Sequence, residues 1–96
     1  MLEKEKIEKI IKDSGFFNIA YEHVIQSGEY KKYNFKDIDV ILDISCLRIV
    51  KENCCSICFL YENIDLFIID IDKDTNSLLI QVINLDGTNT NIFTRL

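Results

Sequence analysis

The sequence predicts an α+β fold, with one or two short N-terminal helices packed on a five-stranded antiparallel β-meander that is free to curve strongly. Three observations predict it. Isoleucines at helical spacing among lysines and glutamates occur near the start of the chain. From about Asp37 to the C-terminus, short apolar runs are separated by tight polar turns. Near the end, Asp86-Gly87 supplies the strongest hairpin signal, since a type I′ turn needs positive φ at both central positions.

Taken in order, Glu3 to Lys12 reads as a helix. Ile7, Ile10 and Ile11 form an i, i+3, i+4 stripe, and Glu/Lys pairs cover the remainder. Ser14-Gly15 ends it. Phe16 to Ser27 fits two periods. As a helix it sets Asn18, Glu22 and Gln26 on one polar edge and Phe17, Ala20, Tyr21 and Val24 opposite. As a strand it puts Phe17, Ile19, Tyr21 and Ile25 on one face. The segregation of the polar residues, with Ser27-Gly28 as a C-cap, favours a second helix. Glu29 to Lys36 reads as a polar, tyrosine-rich connector.

The five expected strands are Asp37 to Val50, Cys54 to Tyr61, Leu66 to Asp72, Leu78 to Leu85 and Asn89 to Leu96. With plain hairpins between neighbours, one face collects Ile38, Val40, Leu42, Ile44, Phe67, Ile69, Ile71, Leu79, Ile83 and Ile92, and would seat the helices. The other collects Ile57, Phe59, Tyr61, Leu66, Ile68, Ile80, Val82 and Phe93. A one-residue slip in any hairpin reassigns a whole strand, so the two sets depend on loop lengths. The N-terminal segment can cover one face only. The second would then expose on the order of several hundred Å² of apolar surface, at or above the largest patch usual on a monomer.

Ninety-six residues suffice for a single domain spanning 1–96 with a modest core. Residues 1–36 carry seven lysines against six carboxylates, whereas residues 37–96 carry four basic side chains against ten carboxylates. The strand-rich part therefore repels phosphate backbones, which argues against nucleic-acid binding. The one basic-aromatic stretch, Tyr30 to Lys36, reads as packed connector. No apolar run reaches the roughly 18 residues a membrane span needs, and the mixed charges of the first twelve residues do not make a signal peptide. The expectation is a soluble cytoplasmic protein without a membrane anchor. The abundance of Ile, Asn and Lys is typical of AT-rich bacterial and phage genomes.

Candidate chemistry is sparse. Cys46, Cys54, Cys55 and Cys58 lack a second ligand pair at zinc spacing and read as reduced thiols acting as small hydrophobes. Asp70 to Asn76 opens like a calcium loop but has Thr75 where glycine is needed and Gln81 where the closing glutamate belongs. His23 has no nucleophile at motif spacing, and Gly15, Gly28 and Gly87 all punctuate turns rather than cradle phosphate. The expectation is no catalytic residue, no metal and no cofactor.

A small acidic protein with a surplus apolar sheet face suits non-catalytic binding. The expected mode is an inhibitor of a protein partner, of the immunity or phage anti-defence (anti-CRISPR) kind, or a homodimer. Phe59, Tyr61, Ile68, Val82 and Phe93 would anchor it, because aromatic and large aliphatic groups dominate binding hot spots. Asp70 and Asp72 would steer toward a basic partner surface or face a second copy of the chain. The rival expectation is a ligand-binding or enzymatic domain whose curled sheet encloses a pocket, with Tyr21, His23 or an aspartate inside.

Overall fold

A computed structural model describes residues 1–14, 19–25 and 28–96, with side chains placed for 1–14 and 30–96. Helix α1 spans Lys4–Ser14. Strands β1 (Ile19–Ile25), β2 (Gly28–Phe35), β3 (Ile38–Leu42), β4 (Cys46–Lys51) and β5 (Cys55–Leu60) follow. A 3-10 turn at Tyr61–Asn63 then leads into β6 (Ile64–Asp72), β7 (Ser77–Asn84) and β8 (Asn89–Arg95). The strands form two antiparallel sheets, β1-β2-β3-β4-β5 and β6-β7-β8.

The expected single five-stranded meander is thus corrected to two sheets with one described helix, although the broad α+β character holds. Three local readings account for the difference. The second helix expected over Phe16 to Ser27 is replaced by β1 over Ile19–Ile25; residues 16–18 and 26–27 lie outside the described residues. A segment holding Ile, Tyr, Val and Ile favours extended backbone, and pairing with β2 supplies the ladder an isolated helix of that length would lack. The polar connector of Glu29 to Lys36 is mostly β2, paired on both sides.

The long strand expected over Asp37 to Val50 is a hairpin. Asp43 N donates to the Cys46 carbonyl at 3.0 Å, and Asp43 Oδ1 accepts from Ile44 N at 2.8 Å. An aspartate that bonds its own following backbone stabilises a turn, and the side chain of Ile44 is left 57% exposed at the tip. This turn pairs Leu42 with Leu47, so the odd positions of β4 join the even positions of β3. Ile57 and Phe59 follow them inward through the pairs Ile49–Ile57 and Leu47–Phe59.

Loop length also sets the second sheet. Only Lys73–Asn76 separate Asp72 from its partner Ser77, with Asn76 at φ +54°. The expected type I′ turn is a longer loop, in which Gly87 N donates to Asn84 O and Asn84 N to Thr88 O, both at 2.9 Å. Gly87 takes the left-handed position at φ +89°, as in a three-residue hairpin loop closed by a bulge. Each loop shifts the expected register by one residue. Phe67 therefore pairs with Val82, and Ile80 with Ile92.

The inward faces of both sheets share one core. Tyr33, Val40, Leu47, Ile49 and Phe59 meet Ile64, Phe67, Leu78, Ile80, Val82 and Ile92 there. Helix α1 adds Ile7 and Ile11, both fully buried. It bridges the sheets, touching β6 and reaching β2 through Glu8. Tyr33 Oη donates to Glu8 Oε2 at 2.6 Å, and Lys31 Nζ lies 3.0 Å from the same oxygen.

Candidate interaction face

The outward face of β6-β7-β8 follows from its register. Across the three strands its rows are Leu66, Ile83 and Asn89, then Ile68, Gln81 and Asn91. Asp70, Leu79 and Phe93 form the next, and Asp72, Ser77 and Arg95 the last. Leu66 and Phe93 are each 48% exposed and Ile68 is 37% exposed; Leu79 and Ile83 are half-buried between them. Gln81 Nε2 donates to Asn89 Oδ1 at 3.1 Å on the same surface. The exposed carboxylates Asp70 and Asp72 stand at one end, and Asp65 and Asp86 beside the other.

The seven residues expected at a binding face divide. Ile68, Phe93, Asp70 and Asp72 lie together on this outward face. Phe59, Tyr61 and Val82 lie in the shared core, at 6%, 8% and 0% exposure. The division follows from the loop lengths, which turn Phe59 and Val82 inward. Tyr61 is drawn in by the 3-10 turn, where its hydroxyl donates to the Asp43 carbonyl at 2.8 Å. Burial, and then nearby Cys46 and Asp43, raise its phenol well above the ordinary range. Leu79 and Ile83, expected under the helices, belong to the outward face. Asn76, a residue tolerant of positive φ just before the strand, was the signal that the loop is four residues long.

The two other groups singled out by sequence are placed as follows. Cys46 is buried, Cys55 half-buried, and Cys54 and Cys58 exposed, all as free thiols. Burial, and then the neighbouring Cys58 thiol, push Cys46 up to about 11. Among the described residues no group of three metal-ligating side chains is assembled. The side chains of Tyr21 and His23 fall outside those described.

Described residues line at least two clefts. One of about 190 Å³ is lined by Asn34, Lys36, Asp37, Asp39, Val50 and Glu52. Two of its three carboxylates are engaged: Asp39 accepts from Asn34 Nδ2 at 2.9 Å and lies 3.4 Å from Lys32 Nζ, and Asp37 accepts from Thr94 Oγ1. The other, of about 270 Å³, lies between Asn63 and the β7–β8 loop. No described helix is long and apolar enough to cross a membrane. Comparison with known protein families, characterised proteins and solved structures finds no match.

Proposed function

We propose that this chain is a non-catalytic binding protein that docks, through the outward face of β6-β7-β8, on a protein with a basic surface, and inhibits it by occlusion. The reading is carried by the exposed cluster of Leu66, Ile68 and Phe93 with Leu79 and Ile83 beneath, on a sheet whose other side already holds the core. An apolar centre with a charged rim is the anatomy of protein interfaces. Charge selects the occupant. Residues 61–96 carry six carboxylates against one lysine and one arginine, so a second copy would meet like charge where a basic partner meets opposite charge.

The test is affinity capture from the native host by the wild-type chain and by Ile68→Asp/Phe93→Asp. Circular dichroism should be unchanged, because both side chains face outward. The expected result is loss of one captured protein from the double variant and its retention by Ile44→Asp, an exposed position in the β3–β4 turn of the other sheet. Capture should weaken as salt rises, since rim carboxylates act on encounter. Equal capture by all three chains would overturn the reading, and a concentration-dependent dimer in light scattering, abolished by the double variant, would replace the partner with a second copy. Phe59→Ala, by contrast, should destabilise the fold by about 3–5 kcal/mol.

A further inference from the structure

The larger sheet ends at β5, and the outer edge of that strand is open. Asp43 N donates to the Cys46 carbonyl, which makes those two residues a hydrogen-bonded pair. Such pairs alternate along antiparallel strands, so Cys46, Arg48 and Val50 bond toward β3, while Leu47, Ile49 and Lys51 bond toward β5. Their partners there are Phe59, Ile57 and Cys55. Ser56 and Cys58 therefore turn N–H and C=O away from β4, and Leu60 turns its N–H the same way. Among the described residues no backbone group outside the sheet and the 3-10 turn bonds to these three. All three are exposed, Leu60 at 45%.

An open strand edge is a template for another strand, and folded chains protect it with charge, proline, bulges or cover. The other three edges carry such devices. β6 breaks register between Ile64 and Leu66 and holds Asp65, Asp70 and Asp72. β8 gives its Phe93 carbonyl to Lys51 and ends in Arg95. β1 includes Glu22. β5 has none of these: it carries no charge and no proline, and its register with β4 runs without a shift. We propose that β5 is a two-fold contact with a second copy of this chain, the two β5 strands pairing antiparallel about Cys58 and joining two sheets into one. The two Cys58 residues exchange main-chain bonds, and Leu60 N–H reaches the carbonyl of Ser56 of the partner subunit. Charge selects this occupant. The two-fold sets uncharged residues against uncharged residues, and apolar Leu60 against small Ser56, whereas a charged strand from another protein would find no counter-charge there. Six residues of strand bury less than the roughly 1,200 Å² of a standard interface, so the pairing is weak and concentration-dependent. It uses neither Ile68 nor Phe93 and stands whether or not their face docks on a protein.

The test is sedimentation equilibrium of the full chain with thiols kept reduced. Average mass should climb from one copy toward two as concentration rises. Glu52 and Glu62 flank β5, so added salt should tighten the pairing, whereas it weakens capture of a basic partner. Cys58→Pro removes an N–H that has no ladder partner in the lone chain, and an edge strand tolerates proline on that side. Losing both central bonds should weaken association roughly tenfold or more, with circular dichroism unchanged. If that variant fails to fold, Ser56→Lys/Leu60→Lys still decides, since both residues are exposed and the pairing sets them opposite each other. Alone it should remain a single copy; mixed with Ser56→Glu/Leu60→Glu it should form a heterodimer. Ile68→Asp/Phe93→Asp should associate like the wild type, which separates this contact from the proposed docking face. A single-copy mass up to about 1 mM would overturn the proposal. So would association that survives the folded β5 variants, a lysine and glutamate mixture that does not pair, or a dimer lost in Ile68→Asp/Phe93→Asp.

Discussion

Lys51 Nζ donates a 2.6 Å hydrogen bond to the main-chain carbonyl of Phe93, tying the end of β4 to β8. Thr94 Oγ1 reaches Asp37 from the next residue, so β8 is fastened twice to the larger sheet. The ring of Phe93 points outward while its backbone is held from behind, and the aromatic of the proposed docking face therefore stands on a fixed support.

Lys51→Met keeps the aliphatic stem and removes the donor. A charged donor bonded to a carbonyl contributes about 1.5–3 kcal/mol when buried and less at the surface. A loss of about 1 kcal/mol in urea denaturation is expected. Amide exchange should rise in β8 before β6. A uniform rise across both strands would show that the tie does not hold β8 in particular.

Glu8 gives stability a dependence on acid. Burial pushes its carboxyl up, but hydrogen bonds from Tyr33 and Lys31 outweigh burial and hold it below the ordinary range. A depressed carboxyl contributes stability above its unfolded value, near 4.3, and loses it as pH falls through the folded value. Glu8→Gln still accepts from Tyr33 but has no charge for Lys31. It should cost about 1 kcal/mol at pH 7 and make the fall in stability below about pH 4.3 shallower. Parallel wild-type and Glu8→Gln curves of urea midpoint against pH would remove Glu8 from this role.

At alkaline pH the sign reverses. Burial raises both Cys46 and Tyr61. The unfolded chain loses the thiol proton near pH 8.5 and the phenol proton near pH 10, while the folded chain keeps both. Stability is therefore intact below about pH 8.5 and declines above it. Tyr61→Phe should flatten the decline above pH 10, and at neutral pH cost about 1 kcal/mol for the lost bond to the Asp43 carbonyl. Urea midpoints at pH 7, 9 and 10.5, with thiols kept reduced, measure both. An unchanged slope in the variant would show that the phenol is not shielded.

The antiparallel strands from Cys54 onward are legible because apolar runs between polar turns permit little else. What was not legible was which side of each strand faces inward. Leu78 to Ile83 is apolar on both sides, so hydrophobicity leaves its orientation open, and a four-residue loop ending in Asn76 decides it. Asp43 acts in the same way. It continued an alternating pattern in sequence, yet its carboxylate closes a turn that reverses the parity of β4 and β5. Ile68 and Phe93 were correctly grouped because two slips of one residue cancel between β6 and β8.

Within each sheet, every described strand bonds only to its neighbours in sequence. Zipping these ribbons requires closing short loops alone, which is fast. The slow event is expected to be their meeting across the joint at Tyr61–Asn63, when residues far apart in the chain first touch. Substitutions at the shared interior should therefore govern how quickly the chain matures, whereas substitutions on the outer surface of the smaller ribbon should leave that step unchanged.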